Sequence, residues 1–472
     1  MGSASTAVLA GLATTPDRPR HGVDLAREAG VSSGSLYPAL IRLQRAGLVE
    51  AQWSDGRRTY RLTTPPAATT RPPHTSVKRR LGRAVPWLPA ALAALITAWA
   101  ALTRPPDIRL SDLGVYTGAS QGLAQGASLY DFISAGNAPF TYPPFAGLLF
   151  LPLADLPTPA LQLTWTLATI ATVAGLALLL TGKHLRPPPA QRQAPLAPPG
   201  RLRRWAPLYA LVLVLSAPVS SDLKYGQVSL FLAALIAVDV LALRRSRWQG
   251  VLIGLAAAIK LTPLIFIPML WCAGRRRPAL VAAATFAGCG TLAAIALPAD
   301  SWRFWTTEVM HVSRLGYITS VGNQSLNGAL MRFEIAAPVR SVLTLAIGGA
   351  VAAIALRRAA RLGRGGDWLS ALVLVGAASI VLSPVSWTHH QVWLVLAALL
   401  PVRGPAWARR TWPALVLATM LLPVTALGPP LCSNARLILA IAIAALLPLR
   451  HPRHEAPQGS EKHRLSGRRP SA

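Results

Sequence analysis

From about residue 85 onward the chain alternates long apolar runs with short polar, mostly basic connections. Before about residue 63 the apolar spacing is that of a small globular unit. Residues 85–103 form an apolar run long enough to cross a bilayer. Similar runs recur at 160–181, 206–221, 227–243, 279–297, 339–356, 369–385, 391–402, 412–427 and 436–449. Together they predict a mainly α, polytopic membrane helical bundle of about ten full spans plus re-entrant segments. Residues 143–156 are apolar but short and broken by proline, which predicts a dipping or interfacial segment.

One run has a different pattern. GVLIGLAAAIKLTPLIFIPMLWCAGRRR carries basic clusters on both sides, so both of its ends should lie on one side of the membrane. A single straight helix cannot satisfy that. A hairpin turning at Lys260-Leu261-Thr262-Pro263 can, with arms of about eleven residues, roughly 16 Å of helix each. Broken backbone at such depth is tolerated where it lines a polar cavity. A lysine there is costly unless partnered, which makes Lys260 a functional candidate. The alternative is a lysine snorkelling from a full pair of helices.

The N-terminal stretch predicts a short helix at 4–13, helical spacing at 21–28, and a helix at 33–46 with Leu36, Leu40 and Leu43 on one face. Two strand-like runs then flank Asp55-Gly56, a hairpin signal. Helix, turn, helix and a basic two-stranded wing is the layout of a winged helix. The predicted organisation is therefore a winged head at 1–63, a Pro/Thr-rich and basic linker at 64–84, a membrane domain at 85–449 and a disordered basic tail at 450–472.

Charge sharpens this picture. Lys and Arg number 47 against 17 Asp and Glu, a formal net charge of +30. Most of the cations sit in short clusters between apolar runs, at 78–80, 201–204, 244–245, 275–277, 357–358 and 409–410. This is the positive-inside pattern of a multi-pass protein of the cell membrane, with both termini cytoplasmic and membrane lipid as its surroundings. Cys272, Cys289 and Cys432 are far apart and show no metal or disulfide spacing. No signal peptide is expected, because the first long apolar run begins only near Val85.

With sidedness assigned, the scattered polar residues gather on the outer side. Asp112 opens a glycine-rich polar stretch, 111–144, that follows the first span directly. Tyr142, Gln227, Asn323, Gln324, His389 and His390 fall in other outer connections, and Lys260 points toward them from mid-depth. Asp131 reads as structural, and Asp239 as a residue near the inner interface. His389 and His390 have the alternative of capping a helix, and Asn323 and Gln324 of holding a loop. One carboxylate, one buried amine, paired imidazoles and aromatics suit glycosyl transfer. The carboxylate can take the proton of an acceptor hydroxyl, and the cationic groups can stabilise a departing phosphate. A phosphate leaves readily, so no second carboxylic acid is required. The outside lacks a nucleotide-sugar pool, so the donor would be a lipid-phosphate-linked sugar. Neither a nucleotide-binding glycine loop nor a paired-acid metal motif is present on the inner side; no cofactor and no metal are expected.

The stretches SDLGVYTGASQGLAQGASLYD, FTYPPFAGLLFLPL, GQVSLFLAALIAVDVLAL, GVLIGLAAAIKLTP, NQSLNG and SPVSWTHHQVW occur in order over about residues 83–449. In them the chain resembles the polyprenol-phosphate-mannose-dependent α-mannosyltransferases of actinobacteria, glycosyltransferase family 87, of GT-C fold. The resemblance implies Asp112 as base, a polyprenyl phosphosugar donor with mannose as the expected hexose, and an α linkage formed with inversion from a β-linked donor. The expected donor-phosphate contacts are Lys260, His389 and His390, the expected substrate contacts are Tyr142, Gln227, Asn323 and Gln324, and the expected acceptor is a glycolipid or polysaccharide. Thr388 departs from the polar residue or acid expected before the histidine pair. The head, through GSLYPALIRLQRAGLV and DGRRTYRLT, resembles the PadR-like winged-helix family. That resemblance implies DNA as a partner, contacted by Ser35, Tyr37, Arg42, Arg57 and Arg58. It lacks the dimerisation helix usual after the wing. Two competing functions remain at this stage, a transporter of polyprenyl-linked sugars and a membrane-tethered transcriptional regulator.

Overall fold

The computed structural model describes residues 3–14, 19–54, 57–63, 84–182, 204–311, 314 and 316–449. The expected 55–56 turn, the 64–83 linker, most of the 183–204 inner connection and the 450–472 tail lie outside the described residues, as does the side chain of Arg57. The chain divides into two compact units, Met1–Arg83 and Ala84–Ala472.

In the first unit, α1 (Ser3–Ala13), α2 (Gly22–Glu28) and α3 (Ser33–Arg45) pack around Val8, Leu12, Leu25, Leu36, Leu40 and Leu43. The leucines of α3 are spaced to share its inner face, leaving Ser35, Tyr37 and Arg42 outside. Strands β2 (Val49–Ser54) and β3 (Arg57–Leu62) form an antiparallel pair. A two-residue strand not anticipated from sequence, β1 (Arg20–His21), joins the other edge of β3, giving the order β1-β3-β2.

Among its described residues the second unit has helices joined by loops, with no strands beyond isolated bridges. Four of its helices are long and apolar enough to cross a membrane: residues Val85–Leu102, Thr158–Leu180, Arg276–Ala296 and Ala337–Arg364. Their exposed faces carry Leu92, Leu95, Ile96, Leu292, Ile295, Val342 and Leu345, the composition of a lipid-facing surface. A fifth candidate, Ala206–Leu215 with Ala217–Tyr225, is bent by 65° at Ser216, whose backbone is extended.

Ten long spans were expected, and the described residues hold fewer. The other apolar runs fold as shorter pieces, such as Ser229–Ala242, Trp368–Leu382 and Ala435–Leu446. At about 1.5 Å per residue these fall short of a hydrocarbon core of about 30 Å. Trp368–Leu382 is buried along almost its whole length, so its apolarity serves protein packing rather than lipid contact. The 391–402 run breaks into Val392–Leu396 and a 3-10 turn at Ala397–Leu399.

The hairpin expected at 250–275 is present. α4 (Val251–Ile259) stops at Lys260, whose backbone is extended (φ −151°, ψ 135°). The chain returns through a 3-10 turn at Thr262–Ile265 and α5 (Phe266–Cys272). Its two ends meet, since the Arg275 guanidinium donates to Gln249 Oε1 at 2.7 Å and to the Arg244 carbonyl. Asp239 ties down the start of α4 by accepting the amide N–H of Gly250 (2.8 Å), Leu252 (3.0 Å) and Ile253 (3.3 Å). Each such bond to a carboxylate contributes about 1.5–3 kcal/mol. Gly250 has φ +105°, and a Cβ there would collide with the Pro278 carbonyl oxygen.

Candidate active site

The 111–144 stretch is not a plain loop. Its first part is a helix, Ser111–Ala124, in which Gly114, Gly118 and Gly122 recur every four residues. Gly118 leaves room for the Phe132 ring, which any Cβ would strike. The helix is preceded by Leu110 in a left-handed conformation (φ 44°, ψ 48°), fully buried. For a non-glycine residue this costs about 1–3 kcal/mol and is sustained only by surrounding packing. The kink sets Asp112 in the first helical turn, where unpaired amide N–H groups favour a carboxylate.

Asp112 accepts a hydrogen bond from Gln227 Nε2. Gln227 Oε1 in turn accepts from Tyr142 Oη at 3.3 Å and Ser229 Oγ at 3.5 Å. Gln227 is positioned by the turn at Gly226 (φ +68°), where a Cβ would press on Leu113 and Leu110. Buried Asp222 holds the same turn, accepting the Leu230 amide at 3.0 Å. Asp222–Tyr225 ends a helix, Ala217–Tyr225.

Tyr142 links the carboxylate to the cationic side. Its hydroxyl lies 2.9 Å from that of Tyr116, and Lys260 Nζ donates to it at 3.5 Å. Lys260 Nζ also lies 2.8 Å from His390 Nε2. The Trp387 amide donates to His390 Nδ1 at 3.2 Å, which fixes the ring with Nε2 toward the amine. His389 packs edge-on against His390 at 4.5 Å and against Tyr225 at 6.4 Å. It is 5% exposed, and neither ring nitrogen has a hydrogen-bond partner.

These groups face one cavity of about 710 Å³, lined by Asp112, Tyr142, Gln227, Lys260, His389 and His390 among others. Burial pushes the Asp112 carboxyl above its usual range; the Gln227 hydrogen bond, the Lys260 charge and Ser111 pull it back in part. Burial also pushes both imidazoles well below the usual histidine range, with the Lys260 charge acting in the same direction. The result is one cavity lined by a basic carboxylate, neutral imidazoles and an amine.

Two of the expected substrate contacts lie elsewhere. Asn323 and Gln324 are fully buried and do not line the cavity. Asn323 Oδ1 accepts the Ser386 amide at 2.9 Å, and its Nδ2 donates to the Ile318 carbonyl at 2.8 Å. Gln324 Nε2 donates to the Val321 and Ser433 carbonyls, both at 2.7 Å, and its Oε1 accepts the Leu437 amide at 3.0 Å. Both amides are engaged by backbone: Asn323 holds the 383–387 segment that leads into the histidine pair, and Gln324 ties its loop to the 433–437 segment.

Other residues at the site had not been singled out. Tyr116, one helical turn after Asp112, has its ring stacked on Phe150 at 4.8 Å. Glu308 and Arg314 line the cavity, and Glu308 is paired with Arg303 at 2.8 Å and with Arg314. Asp131 pairs with Arg303 at 2.6 Å, which joins the 128–131 turn to the helix Pro298–Thr306. Among the described residues no three His, Cys, Asp or Glu side chains converge as a metal site.

Comparison with known proteins matches residues 140–384 to glycosyltransferase family 87. A polyprenol-phosphate-mannose-dependent alpha-(1-2)-phosphatidylinositol mannoside mannosyltransferase of Mycobacterium tuberculosis is 35% identical over 350 residues, 71% of this chain and 80% of the relative.

The chain belongs to glycosyltransferase family 87.

A polyprenol-phosphate-mannose-dependent alpha-(1-2)-phosphatidylinositol pentamannoside mannosyltransferase of Mycolicibacterium smegmatis is 34% identical over 373 residues, 77% of this chain and 85% of the relative. Residues 11–65 match the transcriptional regulator PadR-like family. As a family 87 member the protein is a glycosyltransferase, and this membership does not favour the transporter or regulator alternatives.

Proposed function

We propose that the protein transfers mannose from a polyprenyl-phosphate-mannose donor to a hydroxyl of a mannosylated phosphatidylinositol glycolipid, with Asp112 as general base. Donor and acceptor are those carried in the names of its relatives. What supports the assignment is that Asp112, Lys260 and His390 line one cavity and are linked through Gln227 and Tyr142. Asp112 takes the proton of the acceptor hydroxyl as its oxygen bonds to the anomeric carbon. The bond from that carbon to the phosphate oxygen breaks, and the phosphate departs with the electron pair. Lys260, His390 and His389 meet the charge that develops there. Attack opposite the phosphate turns a β-linked donor into an α-linked product.

The site is assigned to the extracytoplasmic side of the cell membrane, with about ten crossings in all and both termini cytoplasmic. The basic clusters at 201–204, 244–245 and 275–277 support this, and each adjoins an arginine–tryptophan stack: Arg204 on Trp205 (5.4 Å), Arg247 on Trp248 (5.1 Å) and Arg276 on Trp271 (5.7 Å). Tryptophan and arginine concentrate in that way at a membrane–water boundary. The test is a donor screen with purified protein against mannose, arabinose and glucose polyprenyl phosphates. Transfer from the mannose donor is expected; transfer only from another sugar overturns the donor assignment.

A second role is proposed for the head, contact with duplex DNA. It is supported by the PadR-like match and by the exposure of Ser35, Tyr37, Arg42 and Arg58. α3 would enter the major groove and the wing would reach phosphates.

A further inference from the structure

Beside Tyr225, which lines the cavity, lies a basic edge that the proposed chemistry leaves unused. Arg104 follows directly on the first spanning helix, and its Cζ lies 5.8 Å from the Tyr225 ring centroid. Lys224 Nζ lies 5.0 Å from the same centroid. Two cations thus share one aromatic ring, and that ring also packs against His389. Among the described residues neither cation meets a carboxylate within ion-pair reach. Asp222, two residues from Lys224, is turned inward onto the Leu230 amide. Arg104 Nη1 is buried without a hydrogen-bond partner, as are both nitrogens of His389. A buried guanidinium nitrogen left unpaired is costly unless a ligand completes it.

The depth of this edge suggests the ligand. Trp99, one turn before Arg104, is 70% exposed, as expected of a side chain anchoring a helix at the headgroup level. Lipid phosphates lie at that level. Tyr225 and His389 line the cavity together with Lys260 and His390, which meet 2.8 Å apart beside Tyr142. We infer that Arg104 and Lys224, flanking Tyr225 beside His389, form a second anion station that grips a phosphate group borne by a membrane lipid, next to the Lys260–His389–His390 station. This rests on the transfer reading above, in which the donor and the acceptor each carry a phosphate.

The experiment uses the purified full chain in uncharged detergent. Equilibrium binding of polyprenyl monophosphate and of phosphatidylinositol is measured for the wild type, Arg104→Gln, Lys224→Gln and the double variant. Arg104→Lys and Lys224→Arg keep the charge, Arg409→Gln is a distant control, and diacylglycerol is the phosphate-free lipid. The double variant is expected to lose about tenfold or more in affinity for one phosphate lipid, as for lost bonds to a charged group, with diacylglycerol and the control unaffected. The charge-keeping variants are expected to retain binding. The KM for the affected lipid should rise in parallel with kcat kept, and which lipid is affected identifies donor or acceptor as the source. Equal binding of both lipids by the double variant and the wild type overturns the inference. So does a loss in the charge-keeping variants as large as in the glutamines. A wild type that binds in this charge-dependent way without transferring sugar supports the station and sinks the transfer reading instead.

Discussion

Gln227 donates its side-chain N–H to the Asp112 carboxylate, across 115 positions of sequence. Burial raises the Asp112 carboxyl above the usual range, while this hydrogen bond favours its charged form and restrains the rise. A general base works deprotonated, so activity should fall as pH drops through that raised value. The acid limb of the kcat/KM profile should therefore lie above the ordinary carboxylate value of about 4. Gln227→Leu removes the donor and should move the limb further up. A limb that does not move in the variant would detach Gln227 from the base.

Lys260 donates to Tyr142 and meets His390. Lys260→Met should weaken donor use, raising donor KM by roughly tenfold to a hundredfold, since bonds to a charged group contribute about 1.5–3 kcal/mol. Initial rates against donor concentration check this. Unchanged donor kinetics would return Lys260 to a snorkelling role.

The hairpin that carries Lys260 begins at Gly250, with its positive φ and its contact to Pro278. Gly250→Ala should therefore destabilise the protein by a few kcal/mol, through backbone strain and collision together. Thermal unfolding in detergent reads the effect. A midpoint equal to wild type would show that the hairpin base has room to spare.

For the head, the full chain should retain a DNA duplex in a salt-dependent manner, binding falling steeply as salt rises. Arg57→Gln with Arg58→Gln should flatten that slope. Retention that is indifferent to salt and to both substitutions would mark the head as a folded cap without a nucleic-acid ligand.

Much of the site was legible because membrane chemistry makes polar residues conspicuous. Lys260 stood out in an apolar run with cations on both sides, and the turn at its position follows from charge alone. Asp112 stood out because acids are few. The cavity brings these together with Tyr142, Gln227, His389 and His390. Asn323 and Gln324 could not be sorted in this way. A buried amide saturated by backbone and one that faces substrate look alike in sequence, and only the Ser386, Ser433 and Leu437 contacts separate them. Fewer long helices than the ten expected are present among the described residues, for a related reason. Apolar runs such as Trp368–Leu382 are as hydrophobic when they face protein as when they face lipid. The strained Leu110 and the bend at Ser216 depend on distant packing and left no local pattern to read.

The most direct measurement is mannose transfer from radiolabelled polyprenyl-phosphate-mannose to a phosphatidylinositol mannoside by purified wild-type and Asp112→Asn protein in liposomes. The account predicts labelled α-linked product from the wild type and a loss of at least about a hundredfold in the variant, with insertion and folding retained. Product formed at the wild-type rate by Asp112→Asn would contradict it.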